Sequence, residues 1–143
     1  MSGSRKEDIM RNHIKLADIY CRLSDEEKKH KNESESITNQ RAIIRDSCEK
    51  HDIIIVKEFV DDGYSGGNFE RPGFQAMLDH LSTGKANMVI TKDLSRLGRD
   101  MTESSYYAER FFPENGIHYL APGNDFDSMG DNLMAPFQFA MND

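Results

Sequence analysis

The chemistry in this sequence lies in one serine and a scattered set of arginines. Arg22-Leu-Ser24 closes one apolar run. Asp62-Gly-Tyr-Ser65-Gly-Gly and then Arg71 follow a second, and Lys92-Asp-Leu-Ser95-Arg96-Leu-Gly-Arg99 follows a third. A guanidinium presents a fixed fork of donors and keeps its charge at any working pH, so a set of them suits the paired oxygens of a phosphate. It also suits the negative charge that builds up when a phosphate is attacked. Arg96 and Arg99 are three apart, which puts them on one face if the segment is helical. A serine among arginines, with no histidine base beside it, points to nucleophilic attack on phosphorus, where positioning and charge supply most of the catalysis. The sequence has no GxxxxGK[ST] loop, no GxGxxG after its first apolar run and no His/Asp/Glu set at metal-ligand spacing, so neither a cofactor nor a metal is expected.

These groups need elements to position them. Ile14 to Leu23 reads as a short apolar strand, and Asp25 to Glu35, nearly all charged or polar, as a solvated mobile loop. From Ser36 to Lys50, Ile37, Ile43, Ile44 and Cys48 recur at helical spacing, with His51-Asp52 ending the helix. Ile53 to Val60 is a β-branched run with the look of a buried strand, and glycine-rich Asp61 to Asn68 reads as a loop. Pro72 opens a helix to Thr83 that buries Phe74, Met77, Leu78 and Leu81 on one face, with Gly84 as its stop. Ala86 to Thr91 is a strand, Thr102 to Phe112 a helix and Ile117 to Ala121 a further parallel-type strand. Strands and helices alternating at these intervals give an α/β layered domain with a mainly parallel sheet. Such sheets collect functional groups at the carboxyl ends of their strands, where the three clusters fall.

With 143 residues the chain is the size of one domain, and its two cysteines, Cys21 and Cys48, make no disulfide framework. Both read as reduced thiols of a cytoplasmic protein. Cys48 and His51 form a lone C-x-x-H without the second pair a zinc site needs. No apolar stretch approaches the roughly 20 residues of a membrane span. The net charge of −7 argues against nucleic acid as a partner of this chain alone. Either the chain does not act on nucleic acid, or it is the chemical part of a longer protein whose DNA-holding part is absent. Residues 1–13 read as a frayed lead-in, and 14–143 as one domain that stops inside an amphipathic stretch with no helix-stop signal.

Five motifs stand in a fixed order: Tyr20-Cys-Arg22-Leu-Ser24, Ser36-Ile-Thr-Asn-Gln40, Asp62-Gly-Tyr-Ser-Gly66, Phe69-Glu-Arg71-Pro-Gly-Phe74 and Lys92-Asp-Leu-Ser-Arg96-Leu-Gly-Arg99. This series resembles that of the resolvase/invertase serine recombinases, from about residue 15 to the end. The Phe-x-Arg-Pro-x-Phe element, the Ser-Arg-Leu-Gly-Arg form and the length of Asp25 to Glu35 resemble the large serine recombinases of transposons and phages, above all the transposase-like recombinases of mobile elements.

The resemblance implies a resolvase-like layered fold and DNA strand cleavage and rejoining through a covalent 5′-phosphoserine, without a high-energy cofactor. Ser24 is then the nucleophile with Arg22 beside it. Gln40 orders the nucleophile's surroundings, Asp62 orients the arginines, and Arg71, Arg96 and Arg99 hold the scissile phosphate. Duplex DNA is the implied partner of the full-length protein, with self-association to a dimer and a synaptic tetramer through helices near the C-terminus, where Met129 to Met141 is strongly apolar. Two positions depart from the family pattern. Ser95 stands where many small resolvases have an aspartate, with Asp93 nearby, and His80, which reads as surface, stands where a lysine is often found.

Other readings of the residues remain open. Taken singly, Ser24 is an ordinary strand-end hydroxyl, Asp62 a turn residue bonding its own backbone, and Arg96 with Arg99 a solvated face. As a whole, the alternatives are a catalytically idle assembly module or a small phosphate-ester enzyme. Convergence of Ser24 and the arginines on one site argues against the first, and a site without a closed pocket argues against the second.

Overall fold

The structure, a computed structural model, describes residues 14–30, 35–64 and 71–129. The lead-in at 1–13, the glycines at 66 and 67, and the apolar stretch beyond Met129 lie outside these residues.

Strand β1 (Leu16–Ser24) leads into a short helix α1 (Asp25–His30), then helix α2 (Ile37–Lys50) and strand β2 (Ile54–Tyr64). Helix α3 (Pro72–Ser82), strand β3 (Met88–Ile90) and a 3-10 turn (Leu94–Arg96) follow. Helix α4 (Met101–Tyr106) runs through a π turn (Tyr107–Phe111) into a last helical turn, α5 (Phe112–Glu114), before strands β4 (His118–Ala121) and β5 (Phe126–Asp127). The sheet order is β2-β1-β3-β4-β5, parallel throughout except for β5. The mainly parallel α/β sheet expected from the sequence is therefore present.

The period of β1 explains its two-sided burial. Ala17, Ile19 and Cys21 turn to one face and pack with Ile44 and Cys48 of α2. Tyr20 packs on the other with Phe74, Met77 and Leu81 of α3 and Phe112 of α5. A central strand between two helical layers is buried on both faces, and on the second face of β1 Tyr20 is joined by the buried Asp18, which pairs with His80 of α3. Burial pushes the Cys21 thiol up to about 12 and the Cys48 thiol up to about 11. Both are free, and neither is a reactive thiolate near neutral pH.

Four expectations need correction. The run after Ser24 is not a loop throughout, because Asp25–His30 is a helix with acids in its first turn and Lys28, Lys29 and His30 in its last. Ser24 and Glu27 close a capping box at its start, each side chain bonding the other's main-chain N–H. Ile53 to Val60 is not a buried strand: β2 lies at the sheet edge, with Ile54 and Val56 exposed. Nor does β2 stop at Val60. It runs to Tyr64, because Gly63, at φ +84, forms a bulge that lets the pairing skip from Leu23↔Asp62 to Ser24↔Tyr64. Finally, His80 is partly buried, with Nδ1 2.6 Å from Oδ2 of the fully buried Asp18.

The two ends of α3 follow the sequence closely. Pro72 opens it, and Gly84 at φ +78 lies just past Thr83, its C-cap. Its N-terminal amides are satisfied across the sheet by Asp61, which accepts from Gly73 N at 2.8 Å and Phe74 N at 3.0 Å.

Candidate active site

β3 stops at Ile90, opposite Ile19, whereas β1 continues to Ser24. The segment after β3 folds along that overhang, and this step in the sheet brings the arginines to the serine.

Asp93 starts the 3-10 turn by accepting from Ser95 N at 3.0 Å and from Ser95 Oγ at 2.5 Å. The carbonyls that follow are collected by two guanidiniums. Arg22 donates to Ser95 O at 2.5 Å, Arg96 O at 3.3 Å and Gly98 O at 3.3 Å. Arg71 donates to Leu97 O and reaches Glu103 at 3.4 Å, while its guanidinium lies 3.8 Å from the centre of the Phe74 ring. Gly98 has no room for a side chain, since a Cβ there would come within 2.6 Å of Ser104 N. Burial pulls the Arg22 guanidinium below its ordinary range, without threatening its charge.

Arg96 faces the other way, toward Ser24. Its side chain is 3% exposed. Nη1 donates to Arg22 O at 2.8 Å and to Glu27 Oε1 at 2.9 Å, and Nη2 bonds the carboxylate of Glu35. The same Glu27 Oε1 accepts from Ser24 N and Ser24 Oγ, both at 3.1 Å. Burial alone would raise the Glu27 carboxyl. The Ser24 hydrogen bonds and the Arg96 charge outweigh it and hold the group below the usual carboxylate range. Lys92 adds a second cation 3.8 Å from Glu35.

Gln40 is fully buried, and its amide pairs with the main chain of Arg22, accepting from N at 3.1 Å and donating to O at 2.8 Å. It fixes the strand two residues before Ser24. The structure thus brings together Ser24, Arg22, Gln40 and Arg96, with Arg71 bound to the same turn. Arg99 is exposed where the turn meets α4, its main-chain N–H on Glu103 at 2.9 Å. Because the 3-10 turn ends at Arg96, Arg96 and Arg99 do not share a helical face. Asp62 is paired with Lys28 at 3.3 Å. Its neighbour Asp61 is the buried carboxylate, bonded to Tyr20 Oη at 2.7 Å as well as to the start of α3.

Three residues escaped the sequence reading. Asp61 carried no signal separating it from Asp62 beyond strand alternation. Glu27 had one, the Ser-x-x-Glu spacing of a capping box. Glu35 had none, since Arg96 lies 61 residues away. A groove of ≈ 380 Å³ between α2 and Pro122 is lined by none of the site residues. Among the described residues no helix is long and apolar enough to cross a membrane.

Comparison with known proteins gives this geometry a context. Three solved structures share the fold. The N-terminal catalytic domain of TP901-1 integrase is 22% identical, with a TM-score of 0.72 over 89% of this chain and 90% of that one. A resolvase family site-specific recombinase from Streptococcus pneumoniae is 20% identical, with a TM-score of 0.66 over 90% and 85%. The C-terminal catalytic domain of ISC1926 TnpA, an IS607-like serine recombinase, is 21% identical, with a TM-score of 0.59 over 75% and 69%. A search of curated proteins returned no match. The family model for the resolvase N-terminal domain matches residues 17–141, which takes in both strand ends and the turn between them. On that match the chain belongs to the resolvase family, as a serine recombinase catalytic domain.

Proposed function

We propose that this domain cuts and rejoins DNA by direct attack of Ser24 Oγ on a backbone phosphorus. In net terms the Oγ–P bond forms, the bond from phosphorus to the 3′ oxygen breaks, and the serine proton ends on the released 3′ hydroxyl. The phosphoserine keeps the ester bond energy, so the reverse attack by a 3′ hydroxyl reseals the strand without a cofactor. The observation that carries this reading is the carboxylate oxygen shared by Ser24 Oγ, at 3.1 Å, and Arg96 Nη1, at 2.9 Å. Nucleophile and guanidinium already converge on one anionic oxygen. Arg22, Arg71 and Gln40 hold the strand end and the turn that set this spacing, and on this reading exposed Arg99 meets the DNA backbone outside the cluster.

On this reading the chain is the chemical part of a longer, cytoplasmic protein that reads its target elsewhere, which accommodates the net charge of −7. It acts as a dimer that pairs into a tetramer on two duplexes. The test is a nicked or mismatched recombination site offered to the full-length protein. A covalent protein–DNA adduct is expected to accumulate and to vanish in Ser24→Ala. An adduct that persists in that variant refutes the nucleophile.

A further inference from the structure

Arg96 is neutralised by two carboxylates, and what neutralises it is an anion, as a phosphodiester is. Two carboxylates from outside the sheet, Glu27 on α1 and Glu35 just before α2, meet its two terminal nitrogens. Glu27 Oε1 gathers three donors, the N–H and hydroxyl of Ser24 and Nη1 of Arg96. A phosphodiester in line for attack needs one of its oxygens close to this point, because reacting atoms must approach to roughly 3–3.5 Å. The seat cannot hold both anions. Arg96 Nε is also buried and, among the described residues, has no hydrogen-bond acceptor, with Asp93 no closer than 3.9 Å. The guanidinium therefore has donor capacity that its present partners leave unused.

We infer that Glu27 and Glu35 are an internal substitute for the scissile phosphodiester, occupying its position on Arg96 and Ser24 until DNA displaces them. This rests on the reading of Ser24 as a nucleophile toward phosphorus. The carboxylates are suited to leaving. Their side chains are 30% and 33% exposed, so a swing of either one reaches water, whereas Arg96 itself stays fixed by Arg22 O. While seated, Glu27 keeps the serine hydroxyl engaged and places a negative charge where a stray phosphate would enter. The site thus stays organised and closed at once. Opening it requires an anion that brings binding energy from elsewhere, as a duplex held by the whole assembly does.

The alternative is that both residues only tie α1 and the start of α2 to the sheet. Inorganic phosphate titrated into the 143-residue chain, followed by the NMR shift of the Ser24 amide, separates the two. Glu27→Gln keeps the cap, since glutamine also completes a capping box. Glu27→Gln and Glu35→Gln are each expected to bind phosphate about tenfold more tightly than the parent, the scale of one charge-assisted hydrogen bond gained. Glu26→Gln, on the same helix but paired outward with His30, removes the same charge and is expected to change affinity less than about twofold. Adding Arg96→Ala to Glu27→Gln should abolish the gain. A purely structural role predicts no gain over the Glu26 control, and that result overturns the proposal; should Glu27→Gln fail to fold, Glu35→Gln decides. Phosphate binding needs no bond to Ser24. An adduct surviving in Ser24→Ala therefore sinks the proposed function without touching this result, and the reverse also holds.

Discussion

Arg22 and Arg71 on the one hand and Arg96 on the other differ in the oxygens that dominate their contacts. The first two hold main-chain carbonyls of residues 95–98, with one carboxylate, Glu103, 3.4 Å from Arg71, whereas Arg96 holds two carboxylates together with one carbonyl. A carbonyl within a folded turn cannot leave without unfolding it, whereas a carboxylate on a partly exposed side chain can. Arginines that look alike in sequence thus divide into two that build the site and one whose partners can be exchanged for a ligand. On the proposed function, Arg22 and Arg71 serve the reaction by building the turn rather than by touching phosphate.

The largest effects should fall on this division. Arg71→Ala removes a buried fork from Leu97 O and from the face of Phe74, and is expected to cost about 2–4 kcal/mol of stability in urea unfolding. Arg96→Ala should cost roughly half as much, since Glu27 and Glu35 can turn to water, yet it should cut adduct formation by about 10²- to 10³-fold. Equal destabilisation by the two variants would erase the distinction between builder and holder.

The adjacent aspartates offer a second test of the same kind. Asp61→Asn leaves three donors facing an amide with only one acceptor oxygen, and should lose about 2–3 kcal/mol. Asp62→Asn breaks only the exposed pair with Lys28 and should stay within about 0.5 kcal/mol. A larger effect at Asp62 would show that it does more than pair with Lys28.

A further effect is expected on pH. Glu27 is held below its ordinary pKa by Ser24 and Arg96, so its contribution is complete above the unfolded value of about 4.3. That contribution is lost as pH falls through the lower folded value. Amide exchange in α1 should therefore speed up as pH is lowered through that window, beyond the intrinsic trend, by about 0.5–1 kcal/mol of cap. Glu27→Gln should remove that part of the dependence. An unchanged profile in the variant would place the acid sensitivity elsewhere.

Much of the fold was legible because its signals were local. Pro72 and Gly84 bracket α3, Ser36 caps α2 by accepting from Asn39 N at 3.0 Å, and the apolar residues Ala17, Ile19, Tyr20 and Cys21 mark β1. Helix α1 was missed because all six of its residues are polar and none is buried, so no apolar face announces it. Only its capping residues hold the signal. The two-residue β5 is too short for any period to show. Asp61 and Asp62 point to opposite sides of a strand whose glycine reads as a turn, so neither type nor spacing separates them. Glu27 showed its capping spacing, but the proximity of Glu27 and Glu35 to Arg96 could not be read from the sequence, because it is a property of the assembled sheet.

The edge position of β2 has a consequence for handling the protein. Eleven residues of strand, with Ile54 and Val56 exposed, lie at the open margin of the sheet. Such a margin is a template on which another extended segment can add by main-chain pairing. Exposed Lys57, set directly after Val56, puts charge into that margin and disfavours stacking of flat apolar strands, whereas Glu58 is turned to Arg41 of α2 at 2.8 Å. Replacing Lys57 by a neutral residue would leave the domain more prone to fibrous association, long before its fold was lost.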